Sequence, residues 1–151
     1  MIKRLLYSLL ILIAILVALF FLINNNTSLA DPITQRYYTQ LKSTLRARGY
    51  SPRLLVISTK RHEWVNWILV RLNGAAGDSQ HLYGKAIDFL VLDVNGDGKS
   101  NGADVDIVYG ILDKEVIRSK GGLGTYKQSR SFFNRQMVHI DCRGHRGRWY
   151  D

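Results

Sequence analysis

The most informative stretch of the chain reads SQHLYGKAID and covers residues 79–88. It places the imidazole of His81 seven positions before the carboxylate of Asp88, with Gly84 between them. A glycine lets the backbone turn tightly, so both side chains can approach one point. Zn²⁺ accepts nitrogen and oxygen ligands together, and its catalytic sites use three protein ligands and leave one position open. The stretch therefore predicts two of three zinc ligands.

A third ligand is predicted near the end of the chain. Over residues 137–142, His139 and Asp141 alternate with the apolar Val138 and Ile140. Successive side chains of a strand point to opposite faces, so His139 and Asp141 are expected on the same face. His139 completes the predicted zinc set. On spacing alone, a structural or exposed histidine stays open as the alternative.

The flanking segments predict one small domain with both helices and strands. Apolar residues spaced by three to four predict helices over residues 33–48, 63–72 and 105–117. Apolar runs rich in branched residues predict strands over residues 54–58 and 86–92. Three glycines predict a turn, namely Gly121, Gly122 and Gly124. With about 120 residues after the N-terminal segment, a single buried core is expected.

The N-terminal segment differs from the rest. Residues 5–23 carry no charge and follow Lys3 and Arg4. Such a stretch rises roughly 28 Å as a helix, so it predicts a transmembrane helix, with the two cations on the cytoplasmic side. The predicted localisation is therefore single-pass in a cell membrane, with the domain on the extracytoplasmic side.

A cleaved signal peptide stays open as the alternative, because Ser28 and Ala30 are small residues at the spacing that a signal peptidase inspects. Cleavage would give a secreted protein. Residues 1–30 are accordingly interpreted as an anchor or signal peptide with a linker, and residues 31–151 as the folded domain.

The composition favours anionic partners. The chain has 21 Lys and Arg against 12 Asp and Glu, a net charge of +9, which attracts cell-wall polymers or phospholipid headgroups. No cysteine pattern of a zinc finger and no RNA-binding aromatic signature is present, so nucleic acid is not expected as a partner. The single cysteine, Cys142, excludes an intrachain disulfide.

A second ion site is predicted over residues 93–104. Oxygen donors stand at loop positions 1, 3, 5, 9 and 12, a backbone carbonyl at 7, and Gly96 at position 6, where calcium loops turn sharply. The loop resembles the dockerin-type variant of the EF-hand, which ends in Asp. An acidic surface turn is the alternative. The predicted calcium ligands are Asp93, Asn95, Asp97, Lys99, Asn101 and Asp104.

Three motifs follow one another along the domain. They are Ser79-x-His81-x-x-Gly84-x-Ala86-x-Asp88, then Gly122-x-Gly124-x-Tyr126, then Val138-His139-Ile140-Asp141 followed by Arg146-x-Arg148-Trp149. Together they resemble the zinc D-Ala-D-Ala carboxypeptidase and Hedgehog-type metallopeptidase family, over roughly residues 54–149. The resemblance implies a small α+β fold, an antiparallel sheet with flanking helices. It also implies zinc held at His81, Asp88 and His139.

The resemblance further implies the reaction, hydrolysis of peptide bonds in the stem peptides of peptidoglycan, by carboxypeptidase or endopeptidase action. Arg61 lies in a segment that loosely resembles the one carrying the family's substrate-binding arginine, which holds a carboxylate or polarises the scissile carbonyl. An ordinary surface arginine is the open alternative. Tyr126 is a candidate to stabilise the oxyanion. Cell-wall stem peptides and anionic wall polymers are therefore the expected partners.

One position departs from the family. Relatives carry Glu or Asp as general base three residues before the last histidine ligand, but Gln136 stands here and cannot accept a proton. Asp141 is the predicted substitute, because it shares a strand face with His139. Pairing of Asp141 with Arg143, Arg146 or Arg148 is the open alternative. The departure also leaves open a non-catalytic module that keeps the zinc fold and binds cell wall.

Overall fold

The chain is of the α+β class, with helices interspersed among the first two strands and three strands in succession at the end of the described residues. The computed structural model describes residues 2–24, 26–73, 76–127 and 135–150, with the side chains of residues 2, 20–24, 72 and 73 left out. The helices are α1 (Ile2–Asn24), α2 (Pro32–Ala47), α3 (Glu63–Asn73) and α4 (Gly102–Ile111). The strands are β1 (Leu54–Ser58), β2 (Ala86–Val91), β3 (Gly122–Thr125), β4 (Met137–Asp141) and β5 (Gly147–Tyr150).

Helix α2 confirms the predicted helix over residues 33–48 within one residue at each end. It begins where its sequence permits, because Asp31 accepts a hydrogen bond from Ile33 N and Pro32 occupies the first turn. It ends before Gly49, whose φ of +79° suits a residue without Cβ. Its apolar stripe packs into the core through the buried residues Tyr37, Tyr38, Leu41 and Leu45.

The five strands form one sheet in the order β1-β2-β4-β3-β5. Three neighbouring pairs are antiparallel, but β3 and β5 run parallel. The prediction of an antiparallel sheet is therefore wrong for this edge, and the sheet is mixed. The physical reason is that the chain after β4 turns back and returns alongside β3 instead of β4, so that Gly124 pairs with Trp149.

The glycine-rich segment is strand β3 and not the predicted turn. Gly122 lies opposite Asp141 and Gly124 opposite His139 on β4. A Cβ at Gly122 would lie 2.2 Å from Asp141 Oδ2, and one at Gly124 would lie 2.1 Å from the indole of Trp149. The glycines thus leave room for side chains of the neighbouring strands, which a local turn signal cannot reveal.

Helix α4 begins at Gly102, three residues earlier than predicted, because Asn101 and Asp104 form a capping box. A π-helical turn, Leu112–Val116, continues it. The core lies between the sheet on one side and α2, α4 and the π-helical turn on the other. Its fully buried members include Leu41, Leu45, Ile87, Phe89, Val105, Leu112, Leu123, Val138 and Ile140.

The prediction of an N-terminal transmembrane helix is wrong. Within the described residues, no helix combines the length and apolar character that crossing a membrane requires. The predicted single-pass membrane localisation depended on this helix and is wrong with it.

Candidate metal centre

The fold brings together the three residues predicted as zinc ligands. His81 lies in a turn that Gly84 closes, with Gly84 N donating to His81 O at 3.1 Å and a φ of +68° at Gly84. Asp88 lies in the middle of β2, and His139 is its direct partner on β4. Sheet register therefore places Asp88 beside His139, and the turn places His81 beside both.

The ligand atoms of these residues converge. Asp88 Oδ2 is 2.9 Å from His81 Nε2, and Asp88 Oδ1 is 2.7 Å from His139 Nδ1. One ligand atom from each residue lies within 4.8 Å of the others, and all three residues are buried. This group could hold a metal ion. His62 and His145 are exposed and lie outside it.

The hydrogen bonds of His81 and His139 fit a cation bound between their imidazoles and Asp88. His81 Nδ1 is 2.5 Å from the carbonyl oxygen of Thr59, which can only accept, so Nδ1 carries the proton. The nitrogen left to face the site is Nε2, which is buried and has no hydrogen-bond partner of good geometry. The 2.9 Å contact of Nε2 with Asp88 is an ion-pair distance only. Two facing acceptors require a proton or a cation between them.

The imidazole of His139 is also oriented by a hydrogen bond at the nitrogen that faces away from Asp88. Its Nε2 lies 3.1 Å from Asp141 Oδ2, so a proton on Nε2 leaves the Nδ1 lone pair facing Asp88. Hydrogen bonds that hold the distal nitrogen of a ligand histidine are the rule in metal sites. Each imidazole therefore turns its free nitrogen toward the same carboxylate.

The charges of the site are strongly coupled. Burial alone would raise the pKa of Asp88, but His81 and His139 lower it well below its usual range. Burial would lower the pKa of His139, yet the carboxylates of Asp88 and Asp141 raise it to about 9. Without a metal ion, a proton on His139 thus supplies the positive charge that Asp88 requires.

Arg61 borders the site. Its Nη2 lies 3.5 Å from Asp88 Oδ2 and its backbone N–H donates to His81 O at 2.9 Å. Nη1 donates to Asn66 Oδ1 at 3.2 Å, and Asn66 in turn donates to the carbonyls of Ala76 and Gly77. Burial lowers the pKa of Arg61, opposed by Asp88 and Tyr126. A guanidinium thus stands beside the candidate metal group.

Tyr126 follows β3 and lies on the Trp149 side of the site. Trp149 Nε1 donates to the Tyr126 hydroxyl at 3.1 Å. The indole of Trp149 also faces the ring of His139, with centroids 5.1 Å apart. The predicted oxyanion role of Tyr126 stays a prediction.

Asp141, the predicted general base, lies behind His139 and is fully buried. Arg143 contacts both of its carboxylate oxygens, which is the pairing left open as the alternative. Arg146 and Arg148 pair with Asp113 instead. The catalytic role of Asp141 stays a prediction.

The predicted calcium loop satisfies many of its oxygens by itself. Asp93 accepts from the amides of Gly96 and Gly98, and Asn95 and Asp97 accept from amides two residues ahead. Asp104 is buried, and its two oxygens accept three amide hydrogen bonds. Among the described residues, the one converging group of His, Cys, Asp and Glu is His81, Asp88 and His139. Calcium binding stays a prediction.

The sequence interpretation assigns no role at the site to Thr59 or Trp149, and it names Arg143 only as an alternative partner of Asp141. Thr59 supports His81 through a backbone carbonyl, which no side-chain pattern can indicate. Arg143 and Trp149 support His139 from the returning C-terminal segment. The sequence signal for Trp149 is Gly124, and that for Arg143 is Gly122, because glycine in a strand marks close approach of another group.

No protein-family model matches this chain, and no curated protein is similar enough to count as a match.

Proposed function

We propose that this chain is a zinc-dependent peptidase that hydrolyses peptide bonds in the stem peptides of peptidoglycan, as a D,D-carboxypeptidase or an endopeptidase. The observation that carries the proposal is the buried group of His81, Asp88 and His139, whose ligand atoms lie within 4.8 Å of one another. Buried groups of this kind are costly unless a partner compensates them. A resident cation compensates them.

The donor set favours zinc. Two imidazole nitrogens and one carboxylate oxygen suit Zn²⁺, whereas Mg²⁺ and Ca²⁺ prefer oxygen ligands throughout. Three protein ligands are the number found in catalytic zinc sites. When bound, zinc supplies a Lewis acid and lowers the pKa of coordinated water toward neutrality.

The surrounding residues suit a peptide substrate. Arg61 carries a fork of donors that matches a carboxylate, and 11% of its side chain is exposed beside Asp88. In the proposed reaction it binds the substrate carboxylate or the scissile carbonyl. Tyr126, whose hydroxyl accepts a hydrogen bond from Trp149, stabilises the developing negative charge on the same carbonyl oxygen by hydrogen bonding. The net charge of +9 favours anionic wall polymers.

The test is turnover by the full chain. Purified protein is depleted of metal, reloaded with zinc, and incubated with a stem peptide ending in D-Ala-D-Ala and with purified peptidoglycan. Release of D-alanine supports the carboxypeptidase, and new internal termini support the endopeptidase. Activity is expected to require zinc, to be lost in His81→Ala, and to persist in the exposed-histidine control His62→Ala.

A non-catalytic module that binds cell wall is the second candidate. It is favoured by Gln136, which cannot accept a proton, and by the contacts of Arg143 with both oxygens of Asp141. This module would sediment with peptidoglycan at full zinc occupancy and release no product. That result would replace the peptidase proposal.

A further inference from the structure

Asp141 occupies an unusual position for a carboxylate. It lies on β4, two residues after His139, and none of its surface is exposed. Its pairing residue on β3 is Gly122, where a Cβ would lie 2.2 Å from Asp141 Oδ2. The missing side chain at Gly122 thus makes the space in which the carboxylate lies.

Every oxygen of this carboxylate already has partners. Oδ1 accepts from Gly122 N at 3.0 Å, from Arg143 N at 3.0 Å and from Arg143 Nε at 2.8 Å. Oδ2 accepts from His139 Nε2 at 3.1 Å and from Arg143 Nε and Nη2 at 3.0 and 2.5 Å. A carboxylate offers about four lone-pair sites. These contacts leave none for a water molecule on the far side of the His139 ring.

The contact with His139 is on the nitrogen that faces away from Asp88. His139 Nδ1 is the atom that converges with His81 and Asp88, and Nε2 is the atom that Asp141 holds. The imidazole therefore separates Asp141 from the ligand atoms. A proton acceptor for a reaction at those atoms has to lie on their own side of the ring.

We infer that Asp141 is a positioning residue, which acts through His139 by holding the proton on Nε2 and so keeping Nδ1 free to bind the metal ion. Arg143 keeps Asp141 in place through its two-point contact. This inference rests on the metal site of the proposed function. It replaces the role of proton acceptor that the sequence suggests for Asp141.

Arg143 links this support to Trp149 on β5. Its guanidinium lies 5.1 Å from the ring centroid of Trp149, and the Trp149 and His139 centroids are also 5.1 Å apart. A closed circuit of contacts therefore runs from His139 to Asp141, Arg143 and Trp149 and back to His139. These contacts limit rotation of the His139 imidazole, and a ligand histidine requires such a fixed orientation.

The experiment compares zinc affinity with turnover in the full chain. Zinc is titrated against a chromophoric chelator for the unsubstituted protein, Asp141→Asn and Arg143→Gln, with Asp106→Asn as control, because Asp106 is an exposed carboxylate paired with Lys127. Loss of a carboxylate behind a ligand histidine weakens metal binding roughly 10- to 100-fold. We expect this loss in Asp141→Asn, a smaller one in Arg143→Gln, and none in Asp106→Asn. At saturating zinc, kcat of Asp141→Asn is expected to fall by less than about tenfold, whereas loss of a general base costs roughly 10²- to 10⁴-fold.

A spectroscopic signature separates this role from general structural damage. The Nε2 proton of His139 in the zinc-loaded protein is expected at low field in the ¹H spectrum and at higher field in Asp141→Asn. Unchanged zinc affinity together with a large loss of kcat would overturn the inference and restore Asp141 as the base. If the unsubstituted chain bound no zinc, the proposed function would fail first. If it bound zinc without turnover, the affinity and spectral comparisons would still decide the role of Asp141.

Discussion

Asp88 and His139 are 51 residues apart in the chain and face each other across β2 and β4, where Asp88 Oδ1 lies 2.7 Å from His139 Nδ1. His81 reaches the other oxygen of the same carboxylate at 2.9 Å. One carboxylate thus connects two imidazoles from different parts of the fold. The predictions below follow from this arrangement and its neighbours.

The first prediction concerns metal content. His81→Ala removes one of three ligands, so bound zinc is expected to fall from about one ion per chain to a small fraction of that after dialysis. His145→Ala, at an exposed histidine outside the group, is the matched control and is expected to keep its zinc. Elemental analysis of both variants measures the outcome. Equal zinc in the two variants would show that His81 is not a ligand.

The second prediction concerns Arg61. Arg61→Ala is expected to lower kcat/KM by roughly 10²- to 10³-fold, because a donor for developing negative charge is lost. Zinc content is expected to stay, since Arg61 offers no ligand atom. Arg46→Ala, at an exposed arginine on α2, is the control for loss of charge. Steady-state kinetics on a stem peptide gives the ratio, and equal values for the two variants would remove Arg61 from the site.

The third prediction concerns the space at Gly124. Gly124→Ala places a Cβ 2.1 Å from the indole of Trp149, so the variant is expected to lose about 1–3 kcal/mol of unfolding free energy. Gly110→Ala is the matched control, because a Cβ there meets nothing within 4 Å and alanine favours a helix. Denaturant unfolding measures both variants. A neutral Gly124→Ala would mean that Trp149 does not pack against β3 in solution.

The fourth prediction concerns pH. In the metal-free protein the pKa of His139 is about 9, above its ordinary value of 6.5. Its protonated form therefore adds stability that is complete below about pH 6.5 and is lost as the pH rises through about 9. Each pKa unit corresponds to about 1.4 kcal/mol, so the decline is on the order of a few kcal/mol.

Denaturant unfolding with a chelator at pH 6 and pH 9.5 measures this decline. His139→Gln is expected to flatten it and His62→Gln to preserve it. Zinc affinity is expected to change in the opposite sense and rise with pH, because the metal requires the deprotonated imidazole. A metal-free protein equally stable at both pH values would contradict the pairing of His139 with Asp88.

The fifth prediction concerns the loop over residues 93–104. If it binds calcium, a hundredfold excess of calcium over Kd stabilises the fold by about 2.7 kcal/mol, and Asp97→Asn reduces this gain. Asp106→Asn, outside the loop, is expected to keep it. Thermal unfolding with calcium and with a chelator measures the difference. Equal midpoints in the unsubstituted chain would leave the loop a turn held by its own side chains.

Local pattern was enough for the elements whose signal is periodic. The stripe of Tyr37, Tyr38, Leu41 and Leu45 predicted α2, because one face of a helix must be buried wherever it packs. The alternation around His139 predicted β4 and the face that His139 shares with Asp141. Both depend only on the geometry of a single element.

Other features of the fold depend on pairing between segments that are far apart in the chain. The glycines of β3 predict a turn from the sequence, but the structure shows that they make room for Asp141 and Trp149 on other strands. The parallel pairing of β3 with β5 depends on the path of the chain after β4, for which the sequence holds no local signal. The uncharged N-terminal run predicted a transmembrane helix by composition alone, and the described helices do not support that prediction.

The residue types at the site and the strand faces that carry them were predictable from the sequence alone, because periodicity and ligand chemistry are local properties. The folded chain was needed to show that Asp88 pairs with His139, and that Arg143 contacts Asp141 while Arg146 and Arg148 contact Asp113. It also showed that the backbone of Thr59 orients His81. Strand register and chain return bring these groups together, and both are set by packing between segments far apart in the chain.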